Sequence, residues 1–232
     1  MKIKLVKKIG EAKDAKSFIF QPEKPVSFLP GQYLYYTLPK LNYPDAKGAT
    51  RHFTISSSPT EGDLLRLTTK IRAESGYKKT LDELPMGSLI EIQEPNGTFF
   101  FDEKETGPHI FLAGGIGITP FRSMIKYVAD KKLQIPIYLI YSNSDPDIPF
   151  KKEFDGITRS YPNIKILYVV SSTQGRLDQI KIESFVNGWK LNDLKPTWWV
   201  CGPPPFIDAM EDILNKIKVP GGQIRSEKFT GY

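Results

Sequence analysis

The stretch Ala113-Gly114-Gly115-Ile116-Gly117-Ile118-Thr119-Pro120 stands directly behind an apolar run, residues 109–113, and ahead of an amphipathic one, residues 119–129. Glycines let a backbone turn sharply and approach a ligand closely. Thr119 reads as the N-cap of the next helix and Pro120 as its first residue, leaving free amides and the positive end of the helix dipole aimed at an anion. A dinucleotide pyrophosphate fits such a turn. The fingerprint of the common dehydrogenases is not met, because its third glycine would fall where Pro120 stands. Taken alone, the turn also reads as an ordinary strand-to-helix connection.

Outward from this turn the chain has two different periods. Downstream, apolar strands at 135–141, 164–170, 197–201 and 223–228 alternate with helices at 150–160, 179–185 and 204–216. That alternation predicts a parallel sheet with covering helices. Upstream, strands at 2–9, 17–21, 32–38, 51–56, 64–71 and 88–93 are separated by turns such as Pro30-Gly31, Glu61-Gly62 and Asn96-Gly97. Six short strands so closely spaced suit an antiparallel barrel, which leaves no exposed edge, with one short helix at 78–84. The expected architecture is β plus α/β: a barrel domain over 1–105 and a parallel-sheet α/β domain over 106–232, without repeat or flexible tether.

Composition excludes several classes. The 232 residues are 40% hydrophobic and 25% charged, an ordinary globular mixture that argues against disorder. The opening Met1-Lys2-Ile3-Lys4-Leu5-Val6-Lys7-Lys8 alternates as a strand does, unlike a signal peptide. No run approaches the roughly 20 apolar residues of a membrane span, so a cytoplasmic protein is expected. The single cysteine, Cys201, allows no internal disulfide and cannot ligate a typical iron-sulfur cluster, so any such cluster is expected on a partner. The only histidines are His52 and His109, without a ligand grouping around them, and no metal site is expected.

A net charge of +6 suits an anionic partner, whether nucleic acid, membrane surface or acidic protein, and by itself selects none. The basic residues are dispersed, with only short pairs such as Lys78-Lys79 and Lys131-Lys132, and form no nucleic-acid stripe.

Two further segments carry chemistry. In Arg51-His52-Phe53-Thr54-Ile55-Ser56, alternation puts Arg51 and Phe53 on one side of a strand and His52 and Thr54 on the other. Arginine holds a phosphate through its rigid fork, an aromatic ring lies against a ring system, and a hydroxyl bonds a ring nitrogen. A plain strand with one exposed arginine reads equally well. In Trp198-Trp199-Val200-Cys201-Gly202-Pro203-Pro204, a buried strand ends in Cys-Gly before a proline-started helix. Ligands collect at such carboxyl ends of parallel strands, although a lone buried cysteine is more often inert packing.

In this order, the three segments resemble the ferredoxin-NADP reductase superfamily along essentially the whole chain. Arg51-His52-Phe53-Thr54 is similar to its flavin motif, Pro30-Gly31-Gln32-Tyr33 to its usual strand entry, and Gly115-Ile116-Gly117-Ile118-Thr119-Pro120 to its nicotinamide-dinucleotide loop. Cys201-Gly202-Pro203-Pro204 resembles the segment beside the nicotinamide, and Glu227-Lys228-Phe229-Thr230-Gly231-Tyr232 the family's terminal Glu-any-Phe.

The resemblance implies FAD as cofactor and NADH or NADPH as co-substrate. It implies that Arg51 meets the FAD pyrophosphate, that Phe53 packs by the flavin, and that Thr54 bonds near its N5, with Ser56, Lys78, Lys79, Thr80, Phe229 and Tyr232 as further FAD contacts. Gly114, Gly115, Gly117, Thr119, Pro120, Ser142, Arg176, Cys201, Gly202 and Pro203 are the implied nicotinamide-dinucleotide contacts. Thr54, Cys201 and Glu227 would border the reacting atoms, and Phe229 or Tyr232 would cover the flavin until nicotinamide displaces it.

Two departures leave questions open. Ser75-Gly76-Tyr77-Lys78-Lys79-Thr80-Leu81 replaces the commoner flavin-phosphate turn, and a solvated basic turn reads equally well. Ser144 stands where NADPH-using relatives often carry arginine; Arg176 can serve instead or be a surface residue. The expected activity is electron transfer between NAD(P)H and a separate one-electron carrier, an acidic ferredoxin, flavodoxin or oxygenase component. The alternatives are a flavin or ferric reductase acting on a small acceptor and, from another class, a non-catalytic basic binding module.

Overall fold

The computed structural model describes residues 1–191 and 194–229. Strands β1 (Lys2–Ala12), β2 (Ala15–Pro22), β3 (Tyr33–Thr37), β4 (Thr50–Thr54), β5 (Leu65–Lys70) and β6 (Leu89–Ile92) form one antiparallel sheet in the order β4-β3-β6-β1-β2-β5. A bridge between Ile55 and Leu67, with the Ser56 amide donating to Arg66 O at 2.8 Å, joins the two edges and closes the sheet into a barrel. Alternation decides which side chains fill it: Ile3, Leu5, Phe18, Phe20, Leu34, Tyr36, Phe53 and Leu67 point inward. Helix α1 (Gly76–Glu83) plugs one end with Tyr77 and Leu81, and the Tyr77 hydroxyl donates to Tyr36 O at 3.0 Å. Ser75 caps this helix by accepting from the Lys78 amide, so it begins two residues earlier than the apolar pattern indicates.

The second half is wound around a five-stranded parallel sheet in the order β11-β10-β7-β8-β9. Its elements are β7 (His109–Gly114), α2 (Ile118–Asp130), β8 (Ile137–Asn143), α3 (Lys151–Ser160), β9 (Ile164–Val170), α4 (Ser171–Gln174), α5 (Gln179–Gly188), β10 (Thr197–Gly202), α6 (Pro204–Lys216) and β11 (Ile224–Lys228). The inner strands β7, β8 and β10 are apolar on both faces because helices cover both. Phe111, Ala113, Leu139 and Trp199 face α2 and α3, whereas Ile110, Leu112, Ile140 and Val200 face α5 and α6. Only α4 lies where the sequence shows no helical pattern. The connecting segment contributes to this second core: Phe99 packs at 5.9 Å from Phe121 and 5.1 Å from Trp199, and Phe101 at 5.1 Å from His109.

His109 is buried in this core. Trp199 Nε1 can only donate, and it reaches His109 Nδ1 at 3.1 Å, so the ring proton sits on Nε2 and is given to Glu105 O at 3.0 Å. Burial holds the imidazole neutral by lowering its pKa. This histidine is structural.

Candidate active site between barrel and parallel sheet

In the sheet order, β8 and β9 lie on one side of β7, and β10 and β11 on the other. The chain therefore switches direction between β7 and β10, the place where a parallel sheet opens a crevice at the carboxyl ends of its strands. The segments leaving those two strands are Gly115–Gly117 and Gly202-Pro203.

The glycine turn differs from its sequence reading in one respect. Gly115–Gly117 coil into a 3-10 turn, Gly117 is the N-cap of α2, and Thr119 and Pro120 lie inside the first helical turn. Thr119 does not cap; its hydroxyl donates back to Ile116 O at 3.2 Å, and both residues are buried. The 3-10 turn shifts the helix start because glycine tolerates it: Gly115 has φ +53 and open space around its missing Cβ. A Cβ on Gly117 would stand 2.2 Å from Cys201 O, so only glycine lets the turn lie against β10.

A cleft of about 300 Å³ opens beside this turn, lined by Gly114, Gly115, Ile116, Ser142, Asn143, Pro203 and Phe229 from the second half and by Lys70, Arg72 and Lys78 from the barrel. It continues past Arg72 and Lys78 into a depression lined by Asp45, Lys47, Arg51 and Ser75. In the other direction, past Ser142 and Phe206, it reaches a hollow lined by Ser171 and Arg176. One groove thus runs from Arg51 to Arg176 across both halves.

The barrel end is strongly cationic. Lys78 is 3% exposed, and burial, then Arg72 and Arg51, push its pKa down from 10.5 to about 7. Arg51 is braced by the carbonyls of Lys47, Gly48 and Thr50 and by the Asp45 carboxylate, and lies 5.5 Å over the Tyr77 ring. Asp45 also accepts from the Tyr77 amide at 2.9 Å and from Ser75 Oγ at 3.2 Å. A carboxylate held between a guanidinium, the Tyr77 amide and the Ser75 hydroxyl marks a place that accepts an anion. Asp45 and Arg72 have no place in the sequence reading; the turn Pro44-Asp45-Ala46-Lys47-Gly48 just ahead of Arg51 is the one local signal for the former.

Several sequence candidates point elsewhere. Lys79 lies 3.8 Å over the Tyr43 ring, outside the groove. Thr80 is buried, donating to Gly76 O at 2.8 Å and accepting from the Asn42 amide at 3.0 Å. Ser56 is buried too, bonded to Thr68 Oγ1 at 2.7 Å and Arg66 O at 3.0 Å. Their side chains are spent on the fold. Tyr232 lies outside the described residues.

The remaining candidates form two groups, one on the barrel and one on the parallel sheet. Arg51 and Phe53 do share a side, both lying against Tyr77, with Phe53 at 5.8 Å from it. Thr54 is 5% exposed and pairs with Tyr33 on β3. Cys201 and Glu227 are register partners on β10 and β11, and the Phe229 amide donates to Gly202 O at 3.0 Å. Burial pushes the Glu227 carboxyl from 4.5 up to about 7, and its Oε2 is buried without a hydrogen-bond partner. Burial, and secondarily the Glu227 charge, raises the Cys201 thiol well above its ordinary value. A thiol so held is a packing and polarity element, not a nucleophile.

Residues 2–101 match the family model of the oxidoreductase FAD-binding domain, and residues 111–212 that of the oxidoreductase NAD-binding domain. The chain belongs to the ferredoxin-NADP reductase superfamily. FAD and a nicotinamide dinucleotide are the cofactors of these two domains. Among curated proteins, the chain is 28% identical to a flavohemoprotein of Oceanobacillus iheyensis, over 97% of the chain and 58% of that protein. It is 27% identical to the glycine betaine monooxygenase reductase subunit of Chromohalobacter salexigens, over 98% of the chain and 63% of that subunit. It therefore spans about three fifths of the length of these relatives.

The superfamily fold is equally plain in solved structures. The ferredoxin-NADP+ reductase of Plasmodium falciparum with 2'P-AMP superposes with a TM-score of 0.81 at 23% identity, covering 98% of this chain and 95% of that one. The CS-b5R domains of human Ncb5or in the NAD+ form give 0.83 at 21% identity, over 97% and 68%. The residues present fit the superfamily's cofactor: Arg51, Arg72 and the buried Lys78 line one depression and form a cationic set for a diphosphate.

No helix among the described residues is long and apolar enough to cross a membrane, and no group of His, Cys, Asp or Glu suited to a metal ion occurs among them.

Proposed function

We propose that this chain takes hydride from NAD(P)H onto bound FAD and delivers electrons singly to a separate carrier protein. The observation that carries this reading is the groove from Arg51 to Arg176, which lays one cationic end on the barrel and the other on the parallel sheet, with Gly114, Gly115 and Ile116 of the glycine turn and Phe229 between them. FAD supplies the exchange between two-electron and one-electron chemistry. The chain supplies geometry: Arg51 and Lys78 would hold the diphosphate and Thr54 would orient the ring system, while Phe53, turned into the barrel against Tyr36 and Tyr77, supports β4 from behind instead of bordering the flavin. On the other side, Gly114, Gly115, Gly117 and the start of α2 receive the nucleotide pyrophosphate, while Gly202, Pro203 and Phe229 wall the nicotinamide and exclude water.

At the far end Ser142, Ser171 and Arg176 line the hollow, and no carboxylate is among the described residues that line it. That set favours a ribose phosphate, hence NADPH, over a bare ribose. The relatives named as reductase subunits support a protein acceptor. A cluster of Tyr33, Tyr35 and His52, with ring separations of 5.1 to 5.6 Å, lies half-buried next to Thr54 and offers it an aromatic docking patch. An acidic carrier suits the net charge of +6. The lone, unpaired cysteine suits a reducing compartment, the cytoplasm.

The test is an anaerobic absorbance spectrum of FAD-reconstituted protein, recorded with NADH and NADPH in separate cuvettes. Bleaching of the flavin band is expected, faster with NADPH. A protein that cannot hold FAD, or whose flavin neither nucleotide bleaches, rules the reading out.

A further inference from the structure

Between the two halves runs a polar seam centred on Arg122, a residue of α2 that is 2% exposed. Its Nε and Nη2 donate to Glu153 on α3 at 2.9 and 2.7 Å, and its Nη1 and Nη2 to Glu61 at 2.8 and 2.9 Å. Nη1 also donates to Ser56 O at 2.6 Å. One residue on, Ser123 Oγ donates to Ser57 O at 2.7 Å, and Glu61 accepts the Ser58 amide at 2.6 Å. On the barrel side the seam continues through hydroxyls, Ser56 to Thr68 to Ser17, each step 2.7 Å.

Stability alone is a poor reason for this arrangement. Removing a guanidinium and two carboxylates from water costs about what their attraction returns, and an apolar filling often does as well. What such a cluster provides is direction, because a planar fork accepts its partners along fixed lines. The two carbonyls it holds belong to the second and third residues after Thr54. The helix that holds them starts at the glycine turn, with Gly117 as its N-cap. A few residues of backbone therefore connect Thr54 at the end of β4 to the turn Gly115–Gly117.

We propose that Arg122, assisted by Ser123, is a positioning residue that sets the separation between Thr54 and the Gly115–Gly117 turn, and so the approach of nicotinamide to flavin, while touching neither. The inference rests on the hydride-transfer reading above. Its physical basis is the steep dependence of transfer on approach, where a shift of about 1 Å costs on the order of 100-fold.

The test compares wild type with Arg122→Lys, with Arg122→Met combined with Glu61→Gln and Glu153→Gln, and with Ser123→Ala. In protein without cofactor, backbone amides of residues 55–61 and 115–123 should exchange about tenfold faster in Arg122→Lys, while those of β9 and α6 stay unchanged. After FAD reconstitution, the limiting rate of bleaching should fall about 10- to 100-fold in both Arg122 variants, with nucleotide Kd within about threefold of wild type. Ser123→Ala should lose about threefold and Ser123→Thr recover it. A wild-type limiting rate in Arg122→Lys overturns the proposal whatever its Tm, as does one in Ser123→Ala should the Arg122 variants fail to fold. A wild-type protein bleached by neither nucleotide overturns the hydride-transfer reading itself.

Discussion

Cys201 and Glu227 stand opposite one another in the parallel register of β10 and β11, at the carboxyl end of the sheet. Burial lifts the Glu227 carboxyl from 4.5 to about 7. A folded-state value above the unfolded one favours folding fully below about pH 4.5, and that contribution is lost as pH rises through about 7. Glu227→Gln should leave stability near pH 5 unchanged and raise it near pH 8 by about 2 kcal/mol, discounted for partial exposure. Urea unfolding at the two pH values checks this.

Lys78 shows the opposite shift, from 10.5 down to about 7, through burial and then the neighbouring Arg72 and Arg51. Its folded value is depressed, so the cofactor-free protein gains stability as pH rises from about 7 to about 10.5. A bound diphosphate restores the charge, so FAD binding should take up a proton and weaken as pH climbs through that window. Titrations with FAD near pH 6.5 and near pH 9 should differ by about tenfold in Kd, and Lys78→Met should remove the difference. Calorimetry in buffers of different protonation enthalpy reads the proton directly.

Arg51 is already braced in the cofactor-free chain by three carbonyls and Asp45. Arg51→Ala should weaken FAD binding about 30-fold, the effect of losing a charge-assisted pair, and Arg51→Lys should restore only part because a point charge cannot replace the fork. Quenching of FAD fluorescence on titration with cofactor-free protein measures both.

The glycine turn leaves no room for a methyl group at Gly117, 2.2 Å from Cys201 O. Gly117→Ala should push the turn off β10 and weaken nicotinamide-nucleotide binding by about tenfold or more while flavin content stays at the wild-type level. Difference spectra with NADP+ and the flavin absorbance of the purified variant separate the two effects.

If the Tyr33, Tyr35 and His52 patch receives an acidic carrier, reduction of that carrier should slow as salt is raised, and Tyr35→Ala should slow it about tenfold without altering bleaching by nucleotide. Stopped-flow traces with and without the carrier distinguish the two half-reactions.

Much of the molecule was legible locally. Alternation in the first half and apolar runs between amphipathic stretches in the second are short-range patterns, and the strand 164–170 and the helix 204–216 occur where they predict. Glycine and proline marked the turns because their backbone limits act within one or two residues. The same locality explains the misplaced cap at Thr119: a 3-10 turn and an α-helix start have nearly the same sequence signature, and contact with Cys201 decides between them.

The sequence by itself determined the kinds of element, their order, and the segments that carry chemistry, since each depends on residues within about a helical turn of one another. Only the tertiary structure decided which side chains face the groove: it turned Lys79, Thr80 and Ser56 away, brought in Asp45 and Arg72, and buried Arg122, which in an amphipathic helix reads as a solvated charge. The physical reason is range. A helix or strand forms from contacts a few residues apart, whereas the Arg122 fork closes on Ser56 and Glu61, over 60 positions away, and those partners exist only after both sheets have packed.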